Sequence, residues 1–365
     1  MRYPLGRLAT FAILTAVSLR AASWSDQVNR GNLQLQRGVY GQAVEEYQAA
    51  LPLANLPVQR GVTLFSLAVV YQLLADFGAS ERCYKEALSL FRAERDYEKL
   101  ALSLSGLGQV YRAEHRLDDA LDTERNAFLA LKRIGMDKTR DAAFVLGITG
   151  AILGELNRLY AGQRSIEAAQ AILEKTVGPD APEFATNLNR LGVIALARKR
   201  PGEAEGLLTR ALQIRQAHFG SRHPLVANTL LTLSFVYLEQ RRYGEADGSC
   251  RQALETMRDF LPANHPTLIT GSMQLATIAH RSGDFAAATG ILAASIAGLE
   301  AHPSTITGEY VQLVSLYAKY LGDAGDKQEA RHFRLEARQM GQQFSRTSLA
   351  RSTVSVSELE AGVFR

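Results

Sequence analysis

The residues best suited to chemistry in this chain are scattered rather than gathered. His223, His265 and His302 each stand directly before a proline: Pro224, Pro266 and Pro303. Imidazole is a common zinc ligand, so the recurrence invites a metal reading. Zinc–nitrogen bonds are about 2 Å long, whereas packed helices lie about 8–10 Å apart. Histidines from separate helical units therefore cannot share one ion. Each is read as a support for its loop, with the proline opening a helix. Cys83 and Cys250 are the two cysteines. They are too distant along the repeat described below to reach the Cα separation of about 6 Å that a disulfide needs. They are expected to be unpaired thiols buried at helix contacts; a reactive or intermolecular thiol is the alternative. Glu45-Glu46 and Asp118-Asp119 are adjacent carboxylates. Neighbours on a helix point about 100° apart, so neither pair converges on a substrate. Both suit helix starts, where the dipole favours negative charge. No H-E-x-x-H or C-x-x-C occurs, and no Ser-His-Asp or Cys-His set stands out. The sequence therefore assigns no catalytic residue, no metal and no cofactor.

The elements that carry these residues recur. Gly31, Ala68, Gly108, Gly150, Gly192, Ser234, Ala276 and Ala318 mark one register, and from Gly108 onward every step is 42 residues. A second small residue follows twelve positions later: Ala43, Ser80, Ala120, Gly162, Ala204, Ala246, Ala288 and Ala330. A third comes seven further on: Ala50, Ala87, Ala127, Ala169, Ala211, Ala253, Ser295 and Ala337. Around the first column, pairs such as Leu107-Gly108 and a core residue three positions on (Tyr71, Tyr111, Leu153, Tyr237) make the apolar stripe of an amphipathic helix, here helix A. A short polar turn follows. Helix B then presents a small residue, a large one and a small one at i, i+4 and i+7, which lets neighbouring helices approach closely. A fixed long period means stacked hairpins sharing one elongated core. The reading is an all-α, right-handed superhelical solenoid of eight hairpins over residues 24–341. Gly147, Gly150 and Gly154 lie on one face of helix A of the fourth unit. No G-K-[ST] follows, so they are no phosphate loop; close packing is expected, with a flexing point or a ligand contact as alternatives.

The first 23 residues have a basic start at Arg2 and Arg7, an apolar stretch from Leu8 to Leu19, and the small residues Ala21-Ala22-Ser23. That is the pattern of a secretory signal. Cleavage is expected after Ser23, with Ala21 as the other candidate. Export from a bacterium follows, to a periplasmic or extracellular place. The apolar stretch is too short to span a bilayer core of about 30 Å, so no membrane association is expected unless Arg20 keeps the segment as an uncleaved anchor. The net charge of +4 on 365 residues is too small to argue for nucleic acid. Residues 342–365 leave the register and read as a polar, mobile tail.

The three columns resemble the tetratricopeptide repeat, whose usual unit is 34 residues. A 42-residue unit is similar to the kinesin light chain type, which also carries a loop ending in His-Pro before helix A. The matching stretches are Gly220-Ser221-Arg222-His223-Pro224, Asn264-His265-Pro266-Thr267 and His302-Pro303-Ser304-Thr305. The resemblance implies that helix A lines a concave face that binds a protein or peptide. On that register the candidate partner-binding residues are Phe65, Gln109, Arg112, Asn189, Val193, Asn228, Leu231, Phe235 and Met273. Apolar pockets around Phe235 and Met273 would hold side chains, and Asn189, Asn228 and Gln109 would bond a peptide backbone. Packing between repeats is the competing account of these residues. The lysine–asparagine carboxylate clamp of chaperone-binding relatives is absent at the corresponding positions. A second candidate surface is the run of basic A-to-B turns: Arg198, Lys199, Arg200, Arg241, Arg242 and Arg281. Ordinary solvated turns are its competing account. The function expected is a non-enzymatic scaffold; the alternative is a self-associating structural component of an envelope assembly.

Overall fold

The computed structural model describes residues 23–300 and 308–351. Among the described residues there are sixteen α-helices and no strand: α1 (Trp24–Gln36), α2 (Tyr40–Ala50), α3 (Pro57–Leu73), α4 (Phe77–Ala93), α5 (Tyr97–Ala113), α6 (Leu117–Arg133), α7 (Arg140–Glu155), α8 (Leu159–Thr176), α9 (Pro182–Ala197), α10 (Pro201–Phe219), α11 (Pro224–Glu239), α12 (Tyr243–Arg258), α13 (Pro266–Arg281), α14 (Phe285–Glu300), α15 (Gly308–Ala324) and α16 (Lys327–Arg351). Consecutive helices pair into eight hairpins, and each hairpin stacks on the next. From α3 to α15 each odd helix also touches the next odd helix, whereas even helices make no comparable contact with one another. The odd helices therefore line the inner, concave side and the even helices fan apart outside.

The small columns sit where hairpins close. Every member is buried except Ser295, which is half-buried. At α7 and α8 the reason is plain: a Cβ on Gly150 would lie 2.7 Å from the carbonyl oxygen of Gly162, and one on Gly162 would lie 2.7 Å from that of Gly150. Two backbones touch there, and only glycine leaves room. Gly150 of α7 thus serves close packing.

Each A-to-B turn has the same backbone form. A left-handed residue follows the odd helix in all eight hairpins, two places past its end in the first seven and one place past it in the last: Gly38, Ala75, His115, Asn157, Lys199, Arg241, Gly283 and Gly325. The next N–H reaches back to a carbonyl five residues earlier at 2.8–2.9 Å, as in Arg116 to Tyr111 and Arg242 to Tyr237. This is the Schellman closure, which satisfies carbonyls that the helix end leaves open.

The His-Pro loops behave as structural parts. His223 and His265 cap α11 and α13, each Nδ1 accepting from the N–H two residues on (Leu225, Thr267) at 3.2 Å. Pro224 and Pro266 begin those helices. His302 lies outside the described residues. Cys250 is buried, Cys83 is half-buried, and both are unpaired. Helix α16 runs to Arg351, ten residues beyond the point where the repeat register stops. Residues 342–351 contain no glycine or proline to end it. The signal-like segment up to residue 22 and residues 352–365 lie outside the described residues. No helix among the described residues is long and apolar enough to cross a membrane.

Candidate functional site

The concave face is built by the odd helices, so their register decides which side chains reach it. Val193 is 48% exposed and Asn228 is exposed. Phe65, Gln109, Arg112, Phe235 and Met273 are half-buried. The Phe65 ring meets Tyr84 of α4 edge-on at 5.8 Å. Phe235 and Met273 each lean on a buried apolar cluster while keeping part of the ring or thioether open. Leu231 is 7% exposed and lies in the core with Val226, Leu254 and Leu275, as the packing account of these residues has it. The space that Gly271 of α13 leaves is filled by Leu254, whose Cδ2 would lie 2.5 Å from an added Cβ, and Leu231 packs in the same cluster. Asn189 is 9% exposed, and its Oδ1 is buried without a hydrogen-bond partner.

Beside Asn189 stands a polar group that the register did not single out. Arg190 is half-buried and donates from Nη1 to Asn187 Oδ1 at 2.8 Å. A Cβ on Gly147 would lie 2.4 Å from that Nη1 and 2.5 Å from that Oδ1, so the glycine of α7 makes the seat for both. No carboxylate among the described residues lies within ion-pair distance of Arg190. Desolvation pushes its pKa down to about 9, helped by the nearby charges of Arg112 and Arg215 and opposed by Glu124. It remains cationic at neutral pH. Arg112 makes one pair, with Glu155 at 3.5 Å. Arg215, 2% exposed, donates to the Leu225 carbonyl at 2.9 Å and to the hydroxyls of Thr229 at 2.6 Å and Thr186 at 3.3 Å, but to no carboxylate.

Glu124 completes the group. It is fully buried, at the large-residue position of α6 that Tyr47, Tyr84, Ile166, Leu208, Cys250 and Leu292 occupy in other repeats. Gly108 makes room for its carboxyl, since a Cβ there would lie 2.7 Å from Oε1. The Ser105 hydroxyl lies 3.0 and 2.8 Å from the two carboxyl oxygens. Burial raises its pKa well above the ordinary carboxylate range; Ser105, Arg190 and Arg112 oppose that rise. The carboxyl most able to neutralise Arg190 is thus held toward its uncharged form. The signal that could have found it was a carboxylate in a column that is uncharged in every other unit but the last, which has Arg334.

The basic turns are largely paired. Arg242 bonds Glu205 at 2.9 Å and Glu245 at 2.5 Å. Arg281 and Lys199 both meet Glu239, at 3.3 and 3.7 Å, and Arg200 meets Glu203 at 3.3 Å. Arg198 lies over the Tyr160 ring at 4.4 Å and donates to Gln163. Among the described residues, Arg198 and Arg241 are the two of these six with no acidic partner, so part of the edge's charge is spent locally. Among the described residues no group of three or more His, Cys, Asp or Glu could hold a metal ion.

Stacked helical hairpins with small residues at every closure define a tetratricopeptide solenoid. The chain belongs to that family: it matches the model described as MalT-like TPR region over residues 27–219, and the tetratricopeptide repeat model over residues 183–259. Comparison with curated proteins gives no significant match. Among solved structures, the chain is similar to a Rap protein complexed with Competence and Sporulation Factor, at 12% identity over 88% of this chain and 99% of that one, with a TM-score of 0.57. It is also similar to a Podosopora anserina kinesin light chain protein of nearly identical TPR-like repeats (18% identity, 60% and 99% covered, TM-score 0.49). A third is BtubC (BKLC) of P. vanneervenii (22% identity, 65% and 91% covered, TM-score 0.46). These identities speak to the fold.

Proposed function

We propose that this chain is a non-catalytic scaffold that holds an extended peptide segment of a partner protein along its concave face. The observation that carries the reading is Arg190: a cation seated on the inner helices with no carboxylate within ion-pair distance and a protonation-prone neighbour in Glu124. An acidic side chain of a bound peptide would supply the missing charge. A charge-assisted pair of this kind is stronger than a neutral hydrogen bond. Val193, Phe235 and Met273 offer the apolar contacts beside it, and Asn228 an accessible amide for the peptide backbone. The Rap protein of similar fold is recorded in a complex, in keeping with a fold that holds a partner. Export forms part of the same proposal and rests on the signal-like first 23 residues.

The test is a displayed peptide library panned against the full chain and against Arg190→Gln and Phe235→Asp variants of unchanged helicity. The expected result is enrichment of peptides with an acidic residue by the wild type, with affinity reduced at least tenfold by Arg190→Gln. Equal affinity for all three would sink the groove assignment. Recovery of no peptide, with a concentration-dependent mass in sedimentation, would instead favour the self-associating role.

A further inference from the structure

In a solenoid each repeat touches its neighbours and nothing else. One loop here breaks that rule. The α12–α13 loop, residues 259–265, reaches across the superhelix to the first two hairpins. Phe260 and Leu261 pack against the apolar cluster of Val28, Tyr40, Tyr47, Leu67 and Val70. The Phe260 ring lies over the α1–α2 turn at Gly38, where an added Cβ would be 2.3 Å from Cδ1. His265 Nε2 lies 3.1 Å from the carbonyl oxygen of Leu73, 192 residues away in sequence.

The tautomer follows from the geometry. His265 Nδ1 accepts the Thr267 N–H, so in the neutral ring the proton sits on Nε2 and is donated to Leu73. Leu73 closes α3, and its carbonyl is one of those that a helix end leaves without an intrahelical partner. One loop thus supplies both a plug for a turn and a cap for a helix in another part of the chain. The preceding loop of the same kind does neither. His223 caps α11 in the same way, but its ring stacks on Phe219 at 4.4 Å, and its Nε2 bonds no distant carbonyl.

We propose that the α12–α13 loop is a latch that closes the superhelix on its own first two hairpins, so that the width of the concave groove is set by whether the latch is shut. The contact includes one ring, one leucine and one hydrogen bond, all from a single short loop. Successive hairpins, by contrast, pack along whole helices. A contact that small opens without unfolding any helix. The latch stands independently of what the groove binds.

Phe260→Ala removes the plug. Gly38→Ala expels it, because the new methyl would collide with the ring. The left-handed turn takes an alanine only at some strain, as Ala75 does at the same place in the second hairpin with φ 59°, so Phe260→Ala, which leaves the turn untouched, is the decisive variant. Both variants are compared with the wild type by small-angle scattering and amide exchange, with circular dichroism as the check on helicity. Phe219→Ala is the control and Phe260→Leu the conservative replacement. The expected result is a larger radius of gyration for Phe260→Ala and Gly38→Ala, with exchange at least tenfold faster in α1 and α2. Phe219→Ala stays at wild-type values, and Phe260→Leu recovers much of the compactness. Unchanged dimensions and exchange in both latch variants would overturn the proposal. So would an equal expansion in Phe219→Ala.

Discussion

At the residue scale, Glu124 departs most from its surroundings. Its backbone position is legible from the repeat, because it stands four residues after Ala120, where every other unit but the last has an uncharged side chain. Its environment is not. The space for its carboxyl comes from Gly108 and its hydroxyl partner from Ser105, both on the neighbouring helix. Arg190 was equally hidden: Asn189 stood out as an amide at a groove position, while the seat for Arg190 depends on Gly147 one repeat away. The Glu124 carboxyl sets a pH dependence whose sign can be worked out. Its pKa is raised in the folded chain by desolvation, so the folded state keeps a proton that the unfolded state releases above about pH 4.3. Stability therefore falls as pH rises from that value toward the folded pKa, and stays at the lower level beyond it. Glu124→Gln removes the ionisation while keeping the shape. The variant is expected to melt higher than the wild type at neutral pH, and to differ less from it near about pH 4. Thermal melts of both proteins across that range check it; a difference independent of pH would contradict the assignment.

At the element scale the period was the strongest signal, and the three small columns placed every hairpin. The turns were legible as polar and no more. The left-handed residue in each is glycine in Gly38, Gly283 and Gly325, but Ala75, His115, Asn157, Lys199 and Arg241 adopt it too. Side-chain type does not announce that conformation, because the helix end imposes it by directing the following N–H to an earlier carbonyl. Lys199 and Arg241, singled out for their charge, thus also carry out a turn that costs a side-chain-bearing residue roughly 1–2 kcal/mol. Helix starts are better marked. Ser23 caps α1, accepting the Asp26 N–H at 3.2 Å while the Asp26 carboxylate accepts the Ser23 N–H at 3.2 Å. This reciprocal box bears on the expected processing point, since cleavage after Ser23 removes the cap and cleavage after Ala21 keeps it. Ser23→Ala is expected to cost about 1 kcal/mol in urea unfolding of the chain. The same loss is expected in a chain that begins at Trp24. No change in either would mean that α1 frays regardless of its cap.

At the scale of the whole molecule, the period dictates neighbour contacts only, and the contact between the α12–α13 loop and the first two hairpins lies beyond its reach. It depends on how far the superhelix has turned after five repeats, a sum of small rotations that no local pattern states. The consequence concerns the two ends. An open solenoid frays at both, because a terminal repeat has one neighbour instead of two. Here the first hairpin has a second support: Phe260 on its turn, with His265 on the end of the adjoining helix α3. Among the described residues no loop from a distant repeat packs on the α15–α16 turn in this way. Helix α16 carries exposed Leu335, at 59%, with Lys327 where other repeats are apolar and Arg334 where most are. Amide exchange is therefore expected to be lopsided. Helices α15 and α16 should exchange fastest, while α1 to α4 should approach the protection of the central repeats. Native-state exchange read by mass spectrometry resolves the two ends directly. Equal fraying at both would mean that the loop rests on the first hairpins without stabilising them.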